Sequence, residues 1–166
     1  MADAAKLILG EFQRTLDERY RLSIPSELVD QLSHAQLPTA DGELVLAKER
    51  PGALSLWVAA QWQEKLQADV QLIESKLQAR RLQERSSDVQ RLGRLLSTRH
   101  TTVQIVGRSR LLIPEGFREF LGVPPNGPVV VIGAALCVEI WRPSAWFAYL
   151  DDQIPQFRQL MDDLSA

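Results

Sequence analysis

Leu16-Asp17-Glu18-Arg19-Tyr20-Arg21-Leu22-Ser23-Ile24-Pro25 is answered later in the chain by Ile105-Val106-Gly107-Arg108-Ser109-Arg110-Leu111-Leu112-Ile113-Pro114, and this pair decides the fold. Both stretches carry Arg-Leu-x-Ile-Pro and begin on an aliphatic residue. The correspondence runs on. Leu28 and Leu32 are matched by Phe117 and Leu121 at nearly the same distance. Leu54-Ser55-Leu56-Trp57 is followed by Trp62 and Leu66, and Val138-Glu139-Ile140-Trp141 by Trp146 and Leu150, with identical spacing. Self-similarity of this kind means one structural unit made twice. The chain is an internal duplication.

Each copy has the same internal pattern. Apolar and polar residues partly alternate from Leu7 to Leu16, as in a half-buried strand, and Arg21-Leu22-Ser23-Ile24 alternates again after a polar turn. Pro25 has no N–H to give a ladder and ends the pairing. Ser26 reads as the N-cap of a short helix holding Leu28, Val29 and Leu32 on one face. A loop over Ala35–Gly42 leads to a hairpin, Glu43–Ala47 with Leu54–Val58, closing at Glu49-Arg50-Pro51-Gly52. From Ala59 a helix carries Trp62 and Leu66. The second copy predicts strands at Thr102–Ile105 and Leu111–Ile113, then a helix over Glu115–Leu121 ended by Gly122. Strands at Val129–Ile132 and Leu136–Trp141 follow, then a helix capped by Ser144.

Between the copies Leu66, Val70, Ile73 and Leu77, then Val89, Leu92, Leu95 and Leu96, keep helical spacing on either side of Ser86-Ser87-Asp88. This predicts a helical hairpin whose second helix is capped at that break and whose apolar stripe is core or oligomer contact. Gln156–Leu164 reads as a tail helix. Each half alone has too few strands to close, whereas two halves closing together remove their exposed edges. The expected class is therefore α+β: a pseudo-two-fold closed β-barrel from both copies, with a helical hairpin connector and a C-terminal helix. The expected divisions are 7–66 for the first repeat, 67–100 for the connector, 101–152 for the second repeat and 153–166 for the tail.

With 166 residues, 45% hydrophobic and 24% charged, the chain can bury a core without staples. A single cysteine excludes an internal disulfide framework and fits a reducing cytosol. No apolar run reaches membrane-span length, and Met1–Lys6 does not read as a signal peptide, so a cytoplasmic protein without a membrane partner is expected. Cys137 among apolar neighbours reads as a buried strand residue rather than a nucleophile. His34 in a polar loop and His100 at a connector end read as surface residues. No Cys/His/Asp/Glu cluster has metal-ligand spacing, and Gly107 and Gly133 make no phosphate cradle. No enzyme, metal or other cofactor is expected. The four tryptophans read as core, since they repeat with the fold.

Net charge is -2, which argues against a surface that grips polyanions everywhere, but the charge is unevenly spread. Residues 76–100 hold seven basic side chains against two acidic ones, between acidic flanks. That stretch either attracts an anionic partner or is a solvated helix face.

The ordered set of Arg-Leu-Ser-Ile-Pro, short helix, aromatic-ended hairpin and helix-initial Trp, made twice, resembles the MraZ family of AbrB-like swapped-hairpin transcriptional regulators. Gln90-Arg91-Leu92-Gly93-Arg94-Leu95-Leu96-Ser97 is similar to that family's inter-repeat helix. The resemblance covers about 12–66 and 89–150. It implies DNA binding and ring-like homo-oligomers, with a nucleoid location. The family pattern has Asp four residues before the motif Arg and Gly immediately before it. Here Asp17 and Arg21 are kept with Tyr20 in the glycine place, whereas the second copy keeps Arg110 but has Val106 for Asp and Ser109 for Gly.

Two functional classes stay open. In the first, the chain binds double-stranded DNA and regulates transcription. Arg14, Arg19 and Arg21 project from one hairpin and Arg108 and Arg110 from the other, because a β-ribbon enters the major groove and arginine pairs bidentately with guanine. Asp17 then orients Arg21, or the pair simply closes the turn. In the second, the chain is an oligomeric scaffold or an antitoxin-like module for a protein partner, its DNA-reading surface weakened by the missing Asp and glycines.

Overall fold

The computed structural model describes residues 6–34, 43–107 and 109–166. The expected loop Ala35–Gly42 and Arg108 lie outside them. The first repeat forms β1 (Ile8–Thr15), β2 (Arg21–Ser23), α1 (Ser26–His34), β3 (Glu43–Arg50), β4 (Ala53–Val58) and α2 (Ala59–Gln78). A short 3₁₀ turn, Gln83–Arg85, precedes α3 (Ser86–Arg99). The second repeat forms β5 (His100–Val106), β6 (Arg110–Leu112), α4 (Glu115–Leu121), β7 (Pro128–Ala135), β8 (Val138–Trp141) and α5 (Pro143–Gln153). Another 3₁₀ turn, Ile154–Gln156, leads to α6 (Phe157–Ser165).

The strands make one antiparallel sheet in the order β1-β7-β8-β4-β3-β5-β6-β2. Its two ends are joined by the β1–β2 turn, where the Asp17 N–H donates to the Arg21 carbonyl at 3.0 Å, so the sheet is a nearly closed barrel. The copies are swapped into one another. β1 pairs with β7, and its counterpart β5 pairs with β3. Equivalent strands meet on the pseudo-two-fold axis, β2 with β6 and β4 with β8. The main core cluster draws its buried residues from both halves.

Alternation sorts the side chains. Leu44 and Leu46 of β3 and Leu54 and Leu56 of β4 point into the barrel with Leu22, Leu111, Val131 and Ile140, where Leu28 of α1 and Phe117 and Leu121 of α4 join them. The opposite face of the same strands is buried as well. Val45 and Trp57 pack with Trp62 of α2, and Ala53 and Trp141 with Trp146 of α5. The tryptophans are therefore wall-to-helix core, with ring centroids 5.8 Å apart in one pair and 5.1 Å in the other. Two-sided burial explains the nearly unbroken apolar runs of these strands.

Several local expectations need correction. Ser26 does not precede its helix but begins it, and the Pro25 carbonyl accepts from Leu28 and Val29 at 3.0 and 3.1 Å. Pro114 holds the same place before α4. Ser144 lies inside α5, which opens on Pro143, a residue pre-set for the first helical position. The connector breaks before Ser86, at Ala79–Leu82, where Arg80 turns left-handed (φ 56°), and α3 has no side-chain cap. Its stripe is not core, because no residue of α3 is buried. His34 is the last residue of α1 rather than part of a loop. Cys137 is buried, as expected, but in the bend between β7 and β8, and burial pushes its thiol far above the ordinary range. His100 opens β5 and packs its ring 5.3 Å from that of Trp62. Gly122 ends α4 left-handed (φ 74°), as its position implied.

At Gly133, opposite Gly10 in the β1–β7 ladder, a Cβ would stand 2.5 Å from the Ile8 carbonyl oxygen. Gly133→Ala should therefore destabilise by about 1–3 kcal/mol. Gly116→Ala, inside α4 with open space around it, should be neutral or gain about 0.4–1 kcal/mol. Urea denaturation of the two variants checks the contrast, and equal midpoints would contradict the swapped register.

Candidate nucleic-acid interface

The β2–β6 ribbon is where the two motif copies lie against each other. Leu22 faces Leu111, both fully buried, so their neighbours must point outward. Arg21 stands opposite Leu112, and Ser23 opposite Arg110. Arg21 and Arg110 are thus diagonal neighbours on the outer face, about 7–8 Å apart by antiparallel geometry. One comes from each repeat. Arg19 is exposed at the tip of the β1–β2 turn, beside Glu18.

Asp17 organises the first tip. One of its carboxylate oxygens accepts the backbone N–H groups of Arg19 at 2.8 Å and Arg21 at 2.9 Å, and the other accepts Arg21 Nε at 2.7 Å. The backbone N–H of Arg21 is the main cause that holds the Asp17 carboxyl below its ordinary range, with partial desolvation opposing it and Arg19 and the Arg21 guanidinium adding to it. The ion pair therefore both closes the turn and fixes the Arg21 guanidinium. Sequence reasoning left those as alternatives, and one carboxylate does both.

Tyr20 occupies the glycine place in left-handed backbone, φ 60°. Its ring lies under the Arg118 guanidinium at 4.4 Å, while Arg118 Nε donates to the Ile113 carbonyl at 2.7 Å. Arg118 was not singled out from sequence. No motif contains it, and only the swapped pairing brings α4 of one repeat to the turn of the other.

The second tip is built differently. Gly107 and Ser109 take positive φ there, 61° and 156°, and Val106, in the Asp position, is 69% exposed. Arg110 is exposed on β6. Arg108 lies outside the described residues, so the structure does not locate its side chain. Arg14 is not brought to the ribbon. It lies on the row of β1 that includes Ile8, Phe12 and Leu16, the opposite face from Asp17. There it donates to the Gln13 carbonyl at 2.8 Å and stacks 5.6 Å over the Phe12 ring. The basic connector residues are exposed on α2, α3 and the turn between them, with Arg85 and Arg91 paired to Asp88. Among the described residues no group of three or more His, Cys, Asp or Glu could hold a metal ion, and no helix is long and apolar enough to cross a membrane.

No family model matches the chain. Individual proteins do. It is 29% identical over 143 residues to the transcriptional regulator MraZ of Thioalkalivibrio sulfidiphilus, covering 86% of this chain and 85% of that one. It is 25% identical over 158 residues to the protein of the same name from Syntrophomonas wolfei, covering 95% and 96%. With the Acetivibrio thermocellus protein of that name it shares 26% over 147 residues, 89% of each.

Asp17 contributes to hairpin order while it is ionised. Because its folded-state value is depressed, that contribution is complete above the ordinary carboxylate range and is lost as pH falls through the lowered value. In an NMR titration the amide signals of Arg19 and Arg21 should move together at a pH below 3.8, the ordinary value. Asp17→Asn should abolish that step. A joint titration at or above 3.8 would remove the carboxylate from this role.

Proposed function

Because the chain belongs to the MraZ family, we propose that it regulates transcription by binding double-stranded DNA through the outer face of the β2–β6 ribbon. One observation carries this reading: Arg21 and Arg110, one from each repeat, stand as diagonal neighbours on an exposed two-stranded ribbon with Arg19 at its tip. A ribbon of that width fits the major groove. Arg21, held by Asp17, is already ordered for a bidentate contact to guanine O6 and N7, so less freedom is lost on binding. Arg19 and Arg108 take phosphate or base contacts from the tips, and Arg110 reads from the second repeat. Arg14, at the barrel rim, adds positive potential rather than a base contact. Asp17 stays with Arg21 and does not touch the polyanion.

One protomer presents few cations, so its own affinity is modest and steeply salt-dependent. An oligomer, ring-like in the family, engages tandem promoter repeats and raises apparent affinity by about 10²–10⁴ where the spacing permits. Nucleoid association and control of a division and cell-wall gene cluster follow from that reading.

A second reading has one observation in its favour. Val106 and Leu112 are 69% and 51% exposed on the second hairpin, an apolar surface that suits a protein partner, as in a scaffold or an antitoxin-like module. Gel-shift titration against DNA upstream of the chain's own gene separates the two. Arg21→Ala should weaken binding by roughly 5- to 150-fold and relax sequence preference. Arg19→Ala should weaken all sequences alike and reduce the salt slope by about 1. Binding unchanged in both variants across salt would sink the assignment, and no retention on DNA or heparin at low salt would favour the protein-partner reading.

A further inference from the structure

The two clusters that join barrel wall to helix are copies of one another, and only one of them is filled. In the second repeat the Tyr149 ring stacks on Trp146, 5.8 Å away and inclined by 17°, and lies 5.1 Å from Trp141. The Glu11 carboxylate accepts the Trp146 indole N–H at 3.2 Å. A ring and an acid thus complete that cluster.

The first repeat has neither. Three residues after its helix tryptophan, in the place of Tyr149, stands Lys65, and His100 stands in the place of Glu11. A cavity of about 230 Å³ lies there, with Trp57, Trp62 and Leu66 as its apolar wall. That is below the roughly 300–1,000 Å³ of drug-sized sites, so it suits a small molecule. Trp62 is buried, and its indole N–H has no partner among the described residues. A buried donor left unpaired carries a cost that an acceptor removes. Two exposed cations complete the wall, Lys65 at 5.0 Å over the Trp57 ring and Arg99 at 5.5 Å over that of Trp62. Of the two acids there, Glu49 accepts the Ser55 hydroxyl at 2.5 Å, and Asp69 is exposed. Trp57 donates its own indole N–H to Ser55 at 2.8 Å, so Trp62 has the one open donor of the pair.

We propose that this cavity binds a small aromatic carboxylic acid, which supplies in the first repeat what Tyr149 and Glu11 supply in the second. Its ring packs against Trp57 and Trp62. Its carboxylate accepts the Trp62 indole N–H, and Arg99 and Lys65 swing from the ring faces to neutralise it. Glu49 and Asp69 disfavour a second negative charge, which selects a monoacid. The site stands whether or not the β2–β6 ribbon binds DNA.

Titrating the full chain with benzoate, and following the indole N–H signals of its four tryptophans by NMR, tests the site. The Trp62 signal should shift saturably while that of Trp146 stays. Acetate, which lacks the ring, and benzyl alcohol, which lacks the charge, should each bind at least about tenfold more weakly. His100→Glu gives Trp62 the acid that Trp146 has, and should weaken benzoate by at least about tenfold. Lys65→Tyr, which returns the ring, should do the same. A Trp62 signal that ignores benzoate overturns the site, as does an equal response to acetate or to benzyl alcohol. A folded His100→Glu chain with unchanged benzoate affinity overturns the place of the carboxylate at Trp62. Should either variant fail to fold, the three probes on the wild type decide the matter alone.

Discussion

Two hydrogen bonds hold the rest of the molecule in place: Ile24 N–H to the Ser109 carbonyl at 2.8 Å, and Ile113 N–H to the Tyr20 carbonyl at 2.9 Å. They are the same bond made twice. In each copy the isoleucine before the motif proline has the last amide that can join a ladder, since the proline has none. Its partner is the turn residue of the other copy. Each bond is worth only about 0.5–1.5 kcal/mol net, but leaving such a donor buried and unpaired costs more than making it gains. A single repeat would strand the amide. Together with the exchanged pairings of β1 with β7 and β5 with β3, this makes each half the template for the other.

That constraint also accounts for the turn conformation. To aim a carbonyl at the opposite isoleucine, the residue before the motif arginine must leave the ordinary backbone regions, and glycine does so cheaply. Tyr20 does it at φ 60°, a cost of roughly 1–2 kcal/mol for a residue with a Cβ. The Arg118 guanidinium over its ring supplies a cation–π contact of about the same order. The departure from the family pattern is thus compensated by a side chain from the other repeat. In the second copy Gly107 takes a left-handed φ of 61° in addition to the positive φ of Ser109. The residue before the motif arginine thus takes positive φ in both tips, 60° at Tyr20 and 156° at Ser109, and the cross-copy hydrogen bond is kept.

The barrel and its element order were legible because duplication supplies information that a single pattern lacks: matched Trp pairs and matched Arg-Leu-x-Ile-Pro stretches align the halves before any folding argument begins. Ser26, Ser86 and Ser144 misled because serine is the usual N-cap, whereas here a backbone carbonyl from Pro25, or a helix opening on Pro143, does the work. Cys137 looked like strand because its neighbours are apolar; a buried bend has the same composition. The side of β1 on which Arg14 falls was legible in principle. It aligns with Val103 of the second copy, a buried residue of β5, and so belongs to the inward row. Arg118 was not legible, since its contact with Tyr20 crosses the swap and has no sequence spacing to betray it. The uncovered side of the connector was equally hidden, because helical periodicity reports an apolar stripe and not what covers it.

The same alignment exposes how far the halves have diverged, and the divergence is not spread evenly. Inward positions are conservative between copies: Leu22 and Leu111, Ile24 and Ile113, Leu54 and Val138, Leu56 and Ile140. Outward ones are not. Asp17 is matched by Val106 and Ser55 by Glu139. Glu11 is matched by His100. Glu11 accepts the Trp146 indole N–H at 3.2 Å, while the equivalent N–H of Trp62 has no partner among the described residues and the His100 ring lies tilted beside it. A barrel closed by two copies requires near-identity only where they touch each other, on the axis and in the core. Its outer face is free to become asymmetric. One hairpin has a carboxylate that holds its arginine, and the other has an exposed valine in that place, so the two motif arginines on the ribbon are unequal: Arg21 is held by an acid of its own turn, and the corresponding position beside Arg110 offers none.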